Sequence, residues 1–353
     1  MRGPAGKPAR MSGTPPLRGV HCLVTGGAGY VGSHVVHELL QHGAQVTVLD
    51  NLYSGHRWAI GGARLIELDI GARQASETIL ALDRYDAVLH FAGHIWVGES
   101  VRDPGKYYAT NTAKAAGFFE LVARAGVRCV VFSSTAAVYG TPAISPIPET
   151  CPLAPVNPYG ASKMMAERIL QDIAAAHDQR VAILRYFNVA GAHDGGSLGE
   201  ATPNNSHLVK VACEAALGLR PPLAINGVDY PTRDGTCVRD YVHVQDLAEA
   251  HVIALCNLLE GGADAVLNCG YGHGYSVREV LDTFRRVTGI DLAPSLGPPR
   301  PGDPAELVAD NRRIIDVLGW QPQRADLERI IASAWAWEQR LQQRGSTPRR
   351  GVA

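Results

Sequence analysis

The sequence predicts an α/β fold: a doubly wound parallel sheet followed by a smaller mixed α/β C-terminal part. Three observations carry this. Short apolar β-type runs alternate with helical stretches through the first half of the chain, the pattern of parallel strands with helices on both faces. A glycine-rich turn joins the first apolar run to the first helical stretch. From Asn188 onward the texture changes, with more Gly and Pro, longer irregular stretches and a helix-rich end over residues 276–344. At 353 residues the chain can bury one large or two modest domains.

Taken in order, residues 20–25 form an apolar run of the kind seen in buried parallel strands. They lead into Gly26-Gly27-Ala28-Gly29-Tyr30-Val31-Gly32 and a helical segment, 33–41, closed by Gly43. Residues 45–49 are the next strand, ending at Asp50-Asn51; further strand-type runs lie at 64–68, 87–91, 128–132 and 180–184. Helical stretches include 113–125 and 163–177. The first 16 residues are rich in Gly, Pro and basic residues without the apolar centre of a signal peptide, and read as a tail, with Met11 an alternative start.

Bulk properties narrow the function. A net charge of −1 argues against a nucleic-acid binder or a polybasic membrane protein. No apolar run approaches the roughly 20 residues that span a bilayer. The seven cysteines are scattered, with no Cys-x-x-Cys and no Cys/His cluster at zinc spacing, and read as reduced, buried residues of a cytoplasmic protein. The 13 histidines likewise suggest no metal site.

Gly26, Gly29 and Gly32, between strand and helix, match the phosphate turn of a Rossmann-type dinucleotide fold. Glycine there permits a tight turn, close approach of backbone to a pyrophosphate, and helix-on-strand packing. Asp50 ends the second strand at the spacing of a carboxylate that accepts from an adenosine ribose and repels a 2′-phosphate, which favours NAD over NADP. The alternative is a structural turn followed by a surface acid. Asp69-Ile70, past the third strand, could read an adenine amino group.

Tyr159 and Lys163 are four residues apart, hence one turn above each other on a helix. An ammonium nearby favours the phenolate, making Tyr159 a usable proton acceptor. The plain alternative is a tyrosine and a lysine sharing a solvated face. Ser133, Ser134 and Thr135 close a strand run, where a hydroxyl could share a proton with Tyr159 or simply form a turn.

These motifs together resemble the extended short-chain dehydrogenase/reductase family. The Gly-x-x-Gly-x-x-Gly spacing carries the resemblance, with His90-Phe91-Ala92-Gly93, Ser133-Ser134-Thr135, Val138-Tyr139-Gly140 and Tyr159 to Lys163. Val97-Gly98-Glu99-Ser100-Val101, Leu184-Arg185-Tyr186-Phe187-Asn188 and Tyr230-Pro231-Thr232-Arg233-Asp234-Gly235-Thr236 narrow it to the UDP-glucose 4-epimerases. Val238-Arg239-Asp240-Tyr241-Val242-His243-Val244, Arg300-Pro301-Gly302-Asp303 and Leu318-Gly319-Trp320 agree, so the likeness covers roughly residues 20–341.

The resemblance implies an NAD-binding domain over 19–188, joined again by 236–272, and a UDP-sugar domain from 189–235 and 273–343, with disordered tails at 1–18 and 344–353. It makes Tyr159, Lys163 and Thr135 catalytic, Tyr159 taking the sugar 4-hydroxyl proton while hydride passes from C4 to NAD. A 4-keto sugar then turns over in the site and is reduced on its other face. Lys163 would hold the nicotinamide ribose and lower the Tyr159 pKa. The cofactor set implied is Gly26, Gly29, Tyr30, Val31, Gly32, Asp50, Asn51, Asp69, Ile70, Phe91, Ala92, Gly93, Asn111, Ser133, Tyr186 and Phe187, with Tyr159 and Lys163.

For the UDP-sugar the resemblance implies Ser134, Thr135, Tyr159, Asn188, Leu208, Ala224 and Asn226, with Arg239 and Arg300 on the diphosphate and Asp303 on the uridine ribose. Either Asn205 or His207 meets a phosphate, because 204–208 is shortened relative to the family. Asn226 replaces an aromatic beside the uracil. Leu307 occupies the position whose size helps decide whether a 2-acetamido sugar fits, and its intermediate size leaves N-acetyl sugars open. Ile95 stands where some members have a lysine. Related dehydratases carry an Asp-Glu pair after the threonine, and Ala136-Ala137 here disfavours water elimination. The function implied is an NAD-dependent UDP-glucose/UDP-galactose 4-epimerase acting as a cytoplasmic homodimer through 113–125 and 163–177. The alternatives are an epimerase for UDP-N-acetylhexosamines or UDP-pentoses, or a non-catalytic NAD-binding sensor.

Overall fold

The computed structural model describes residues 16–203, 205–300 and 303–346. Along the chain come β1 (His21–Thr25), α1 (Tyr30–Gln41), β2 (Gln45–Asp50), β3 (Arg64–Glu67), α2 (Arg73–Leu82) and β4 (Ala87–His90). Two short helices, α3 (Val97–Arg102) and α4 (Pro104–Tyr107), lead through a π-helical turn, Tyr108–Lys114, into α5 (Ala115–Arg124). Then follow β5 (Cys129–Thr135), α6 (Pro158–His177) and β6 (Arg180–Tyr186).

The later chain gives β7 (Asn188–Ala190), α7 (Leu208–Ala216), β8 (Ala224–Asn226), β9 (Val238–Arg239), β10 (Tyr241–His243), α8 (Val244–Leu259) and β11 (Ala265–Cys269). It closes with β12 (Tyr275–Ser276), α9 (Val277–Thr288), β13 (Ser295–Gly297), β14 (Glu306–Leu307), α10 (Arg312–Leu318) and α11 (Leu327–Ser346).

One seven-stranded sheet, in the order β11-β6-β5-β4-β1-β2-β3 with every neighbour parallel, forms the body of the molecule. Strand alternation feeds a core on each face. Cys22, Val24 and Val131 join α1 and α8 on one side, whereas Leu23, Val130 and Phe132 join α5 and α6 on the other. Three smaller sheets, β10-β7, β12-β9-β14 and β13-β8, make up the rest. Chain order reverses between β1 and β4, and a doubly wound sheet binds its ligand in the crevice at the strand ends there.

The predicted elements are present, with instructive shifts at their ends. β5 continues through Thr135 and β6 through Tyr186 because Ser133, Ser134 and Thr135 keep register with Leu184, Arg185 and Tyr186. Their hydroxyls are satisfied by side chains, so the apolar run stops before the strand does. α6 starts at Pro158, earlier than the apolar pattern suggests. The Asn157 side chain accepts from Gly160 N at 2.9 Å and Pro158 fits the first turn. The helical stretch 113–125 begins instead as a π-helical turn.

Residues 1–15 and 347–353 of the two segments read as tails lie outside the described residues, as do Asn204, Pro301 and Gly302. Two corrections follow within the described part. Leu17 is buried and its N–H donates to His42 O at 2.8 Å, so apolar packing already holds the chain there. At the other end α11 carries through Ser346.

Candidate active site

The phosphate turn is built by steric exclusion. A Cβ on Gly26, whose φ is +68°, would stand 2.6 Å from Ala92 N, and one on Gly32 would stand 2.2 Å from Gly26 O. Only glycine lets β1, the β4 loop and α1 approach this closely. Tyr30 and Val31 occupy the first turn of α1, where backbone N–H groups have no helical carbonyl to meet and favour an anion. A dinucleotide pyrophosphate fits this cradle.

Asp50 closes β2 and is buried. Its Oδ2 accepts from Ala28 N at 3.0 Å and its Oδ1 from Leu52 N at 2.8 Å, which aims the carboxylate beside the turn. Burial raises its pKa against those bonds. A carboxylate has about four acceptor positions, so ribose hydroxyls can still be met. Asp69 is engaged more heavily: Lys114 Nζ donates at 2.9 Å, Asn51 Nδ2 at 3.1 Å and Gly71 N at 2.8 Å. Burial raises its pKa, but the bond from Lys114 and its neighbours outweigh that and hold it low. Ile70 is buried next to it.

Asn111, in the π-helical turn, is buried. Its Oδ1 accepts from His94 N at 2.8 Å, while its Nδ2 donates to His94 O at 2.9 Å and Ser162 Oγ at 3.1 Å. It is thereby fixed behind Gly93, where a Cβ would stand 2.9 Å from its Oδ1.

The residues expected to react converge at the carboxyl end of β5. Tyr159 lies in the first turn of α6, half-buried, with the Tyr107 ring edge-on at 6.4 Å. Lys163, one turn on, donates from Nζ to Ser133 O at 2.9 Å and lies 4.9 Å from the Phe132 ring. Burial lowers its pKa to about 8. Burial raises the Tyr159 pKa, opposed by a hydrogen bond with Thr135. This corrects the expectation that Lys163 lowers it: the ammonium is turned onto Ser133 O, and desolvation of the phenol prevails. The Ser133 and Tyr186 hydroxyls are hydrogen-bonded, which aligns Tyr186 with the strand end.

Ser134 corrects another expectation. Strand alternation turns its buried hydroxyl away from Thr135, and it donates to Glu167. Phe187 is also buried, packed with Val138, Tyr139, Ile147 and Ala309, and partly buried Leu307 lies against this cluster.

Several of the residues expected on the substrate side lie on the small sheets. Leu307 pairs in register with Arg239, and Asn188 with Tyr241. Arg239 is buried, forms an ion pair with Asp303, and donates from Nη1 to Val238 O at 2.8 Å. Arg300 is exposed. Ala224 and Asn226 lie on β8, where Asn226 Nδ2 donates to Ala224 O at 3.3 Å.

Asn205 and His207 both contact the Glu200 carboxylate. Asn205 is buried, with Nδ2 on Glu200 and Oδ1 accepting from His207 N at 2.6 Å, so it braces the loop. The His207 ring is 35% exposed, with Nδ1 2.7 Å from Glu200 Oε1. Burial opposes its charge, but Glu200 raises its pKa overall. Leu208 begins α7 and packs with the apolar cluster of that helix.

Sequence reasoning missed Tyr107, whose hydroxyl accepts from Trp96 N at 3.0 Å and donates to Glu99 at 2.9 Å, and the Lys114 partner of Asp69. It also missed Glu167 and Arg185. An acid at helical spacing after Lys163 was the available signal for Glu167.

A family model described as the NAD dependent epimerase/dehydratase family matches residues 22–270. The chain is 53% identical over 322 residues to a UDP-glucose 4-epimerase of Azospirillum brasilense, covering 91% of this chain and 92% of that one. A crystal structure of UDP-glucose 4-epimerase from Brucella ovis in complex with NAD superposes with a TM-score of 0.87 at 40% identity, over 90% of this chain and 98% of that one. A UDP-Glc/GlcNAc 4-epimerase structure from Campylobacter jejuni gives 0.80 at 43% identity, over 91% and 100%. Both the matched span and the residues assembled at the β1 and β5 ends agree: this chain belongs to the NAD dependent epimerase/dehydratase family.

Proposed function

We infer that the chain is an NAD-dependent UDP-glucose 4-epimerase. The observation that carries the reading is the Thr135, Tyr159 and Lys163 set at the end of β5, followed by Ala136-Ala137 rather than by an acid. NAD, when bound, supplies a hydride acceptor at C4 of the sugar that gives the hydride back within the same cycle. The glycine turn, Asp50 and the Phe91-Ala92-Gly93 loop would hold it. Tyr159 takes the 4-hydroxyl proton and later returns it, with Thr135 hydrogen-bonded to it. Arg239, with Arg300 and His207, meets the diphosphate, and arginine's planar fork suits that task.

The test is to convert UDP-glucose to UDP-galactose with purified protein while recording absorbance of reduced cofactor. Epimerisation with no net reduced cofactor is expected, and its steady accumulation would sink the reading.

Residues 19–188, with 236–272 returning to them, form the NAD-binding part, and 189–235 with 273–343 the UDP-sugar part. What supports the division is that α8 and β11 lie within 236–272 and β11 pairs with β6. The protein acts in the cytoplasm as a homodimer through α5 and α6. Its described cysteines are all free, and among the described residues no helix is long and apolar enough to cross a membrane.

Lys163 must be charged to hold a ribose in the role proposed for it. Its pKa of about 8 lies below the ordinary lysine value, so the proton is present at neutral pH and lost as pH rises past that point. The kcat/KM profile is therefore expected to fall above about pH 8, close to tenfold per unit. A profile flat to high pH would contradict this role.

Sugar size is expected to be set at Leu307, which lies beside Arg239 and against the Phe187 cluster. Leu307→Tyr is expected to cut the UDP-GlcNAc to UDP-glucose activity ratio by roughly tenfold or more, as added bulk in a pocket does. An unchanged ratio removes the gate.

A further inference from the structure

Behind the reacting residues lies a buried group of charges with no role in the steps above. Glu167 stands one helical turn after Lys163 on α6 and is 3% exposed. Arg185 of β6 clamps it, Nε donating to Oε1 at 3.0 Å and Nη2 to Oε2 at 2.6 Å, and the Ser134 hydroxyl donates to Oε1. Arg185 Nη1 also donates to the Tyr139 hydroxyl at 3.0 Å, which donates to Asn268 Oδ1 at 2.7 Å. The network thus ties α6 to β5, β6 and β11. Stability alone is a poor reason for it, since apolar residues often replace a buried ion pair without loss.

Two links lead from Glu167 to the chemistry. The first is mechanical: Ser134 directly precedes Thr135 on the opposite face of β5, so holding Ser134 fixes the strand end from behind. The second is electrostatic. Around Lys163, β4 presents His90, kept neutral by burial with a pKa of about 3. β5 presents the Phe132 ring and the Ser133 carbonyl. The π-helical turn presents the uncharged Asn111 behind Gly93. α6 itself presents the Tyr159 phenol and the Glu167 carboxylate, and β6 presents the Arg185 guanidinium paired with that carboxylate. Burial drives the Lys163 proton off, and Glu167 is the charge that opposes it.

We propose that Glu167 is a positioning residue of the reaction, keeping Lys163 cationic by its charge and setting Thr135 through Ser134. This rests on the reading of Tyr159 and Lys163 as the reacting pair. The chain has only five lysines, Lys7, Lys106, Lys114, Lys163 and Lys210, so NMR of ε-13C-labelled lysine in NAD-loaded protein can follow each one. Lys163→Met identifies the Lys163 signal by its disappearance.

Glu167→Gln is expected to lower the Lys163 midpoint by about one pH unit, as losing a nearby opposite charge does, and to move the alkaline limb of kcat/KM to lower pH with it. Should the unpaired Arg185 prevent folding, Glu167→Gln with Arg185→Met removes both buried charges and is expected to move the midpoint the same way. A midpoint within about 0.3 units of the original, in the folded variant, overturns the proposal. Ser134→Ala should lower kcat several-fold without moving the midpoint, and an unchanged kcat overturns the strand-end link. The midpoint is read without turnover. A Lys163 that follows Glu167 in a protein that fails to epimerise UDP-glucose would therefore sink the functional reading and leave standing only the coupling between Glu167 and Lys163.

Discussion

Tyr159→Phe is expected to lower kcat by roughly 10²–10⁴-fold, the usual worth of a positioned proton-transfer group, with bound NAD retained. The ring stays, so its edge contact with Tyr107 and the first turn of α6 survive. What goes is the hydroxyl that lies against Thr135. Because that hydroxyl serves both half-reactions, the loss should be equal in the two directions. KM should change little. Circular dichroism and cofactor content check that the variant is intact; full activity in it would revive a non-catalytic NAD-binding role.

That pair was legible as a spacing before any geometry was known, and so was the glycine turn, because sterics leave glycine as the residue for such a close approach. Strand and helix cores were legible from apolar periodicity. Less legible was everything set by partners distant in sequence. Asp69 looked open in the sequence, but Lys114 reaches it from another element. Ser134 looked equivalent to its neighbours until strand alternation turned it onto Glu167. Lys163 was expected to act on the phenol, whereas burial, which no short motif reports, dominates the titration of both groups.

The second large effect is expected from Gly32→Ala. Its new Cβ would meet Gly26 O at 2.2 Å, Gly27 Cα at 2.9 Å and Gly26 C at 3.0 Å, all backbone atoms. No side chain can move aside, so the turn itself must shift away from α1. Overpacking of this kind costs about 1–3 kcal/mol, or a fall in Tm of roughly 2–10 °C for a chain of this size. The displaced amides also lose their aim at the pyrophosphate, and each 1.4 kcal/mol lost there weakens NAD about tenfold. The expected result is protein that purifies largely free of NAD and melts earlier. Gly62→Ala is the control, since nothing lies within 4 Å of its added Cβ. Equal cofactor content in the two variants would contradict the role given to the turn.

The edge position of β11 has a consequence for synthesis. The strand beside β6 is made only after residue 264, some 80 residues after β6 itself. On the ribosome, the first six strands emerge with β6 as an uncovered edge whose N–H and C=O groups invite another chain. A chain interrupted before β11 would therefore be aggregation-prone, although it already carries the glycine turn, Thr135, Tyr159 and Lys163. The seven-stranded sheet is finished by a strand made after a long intervening stretch, so completion of the sheet waits on translation of residues 187–264.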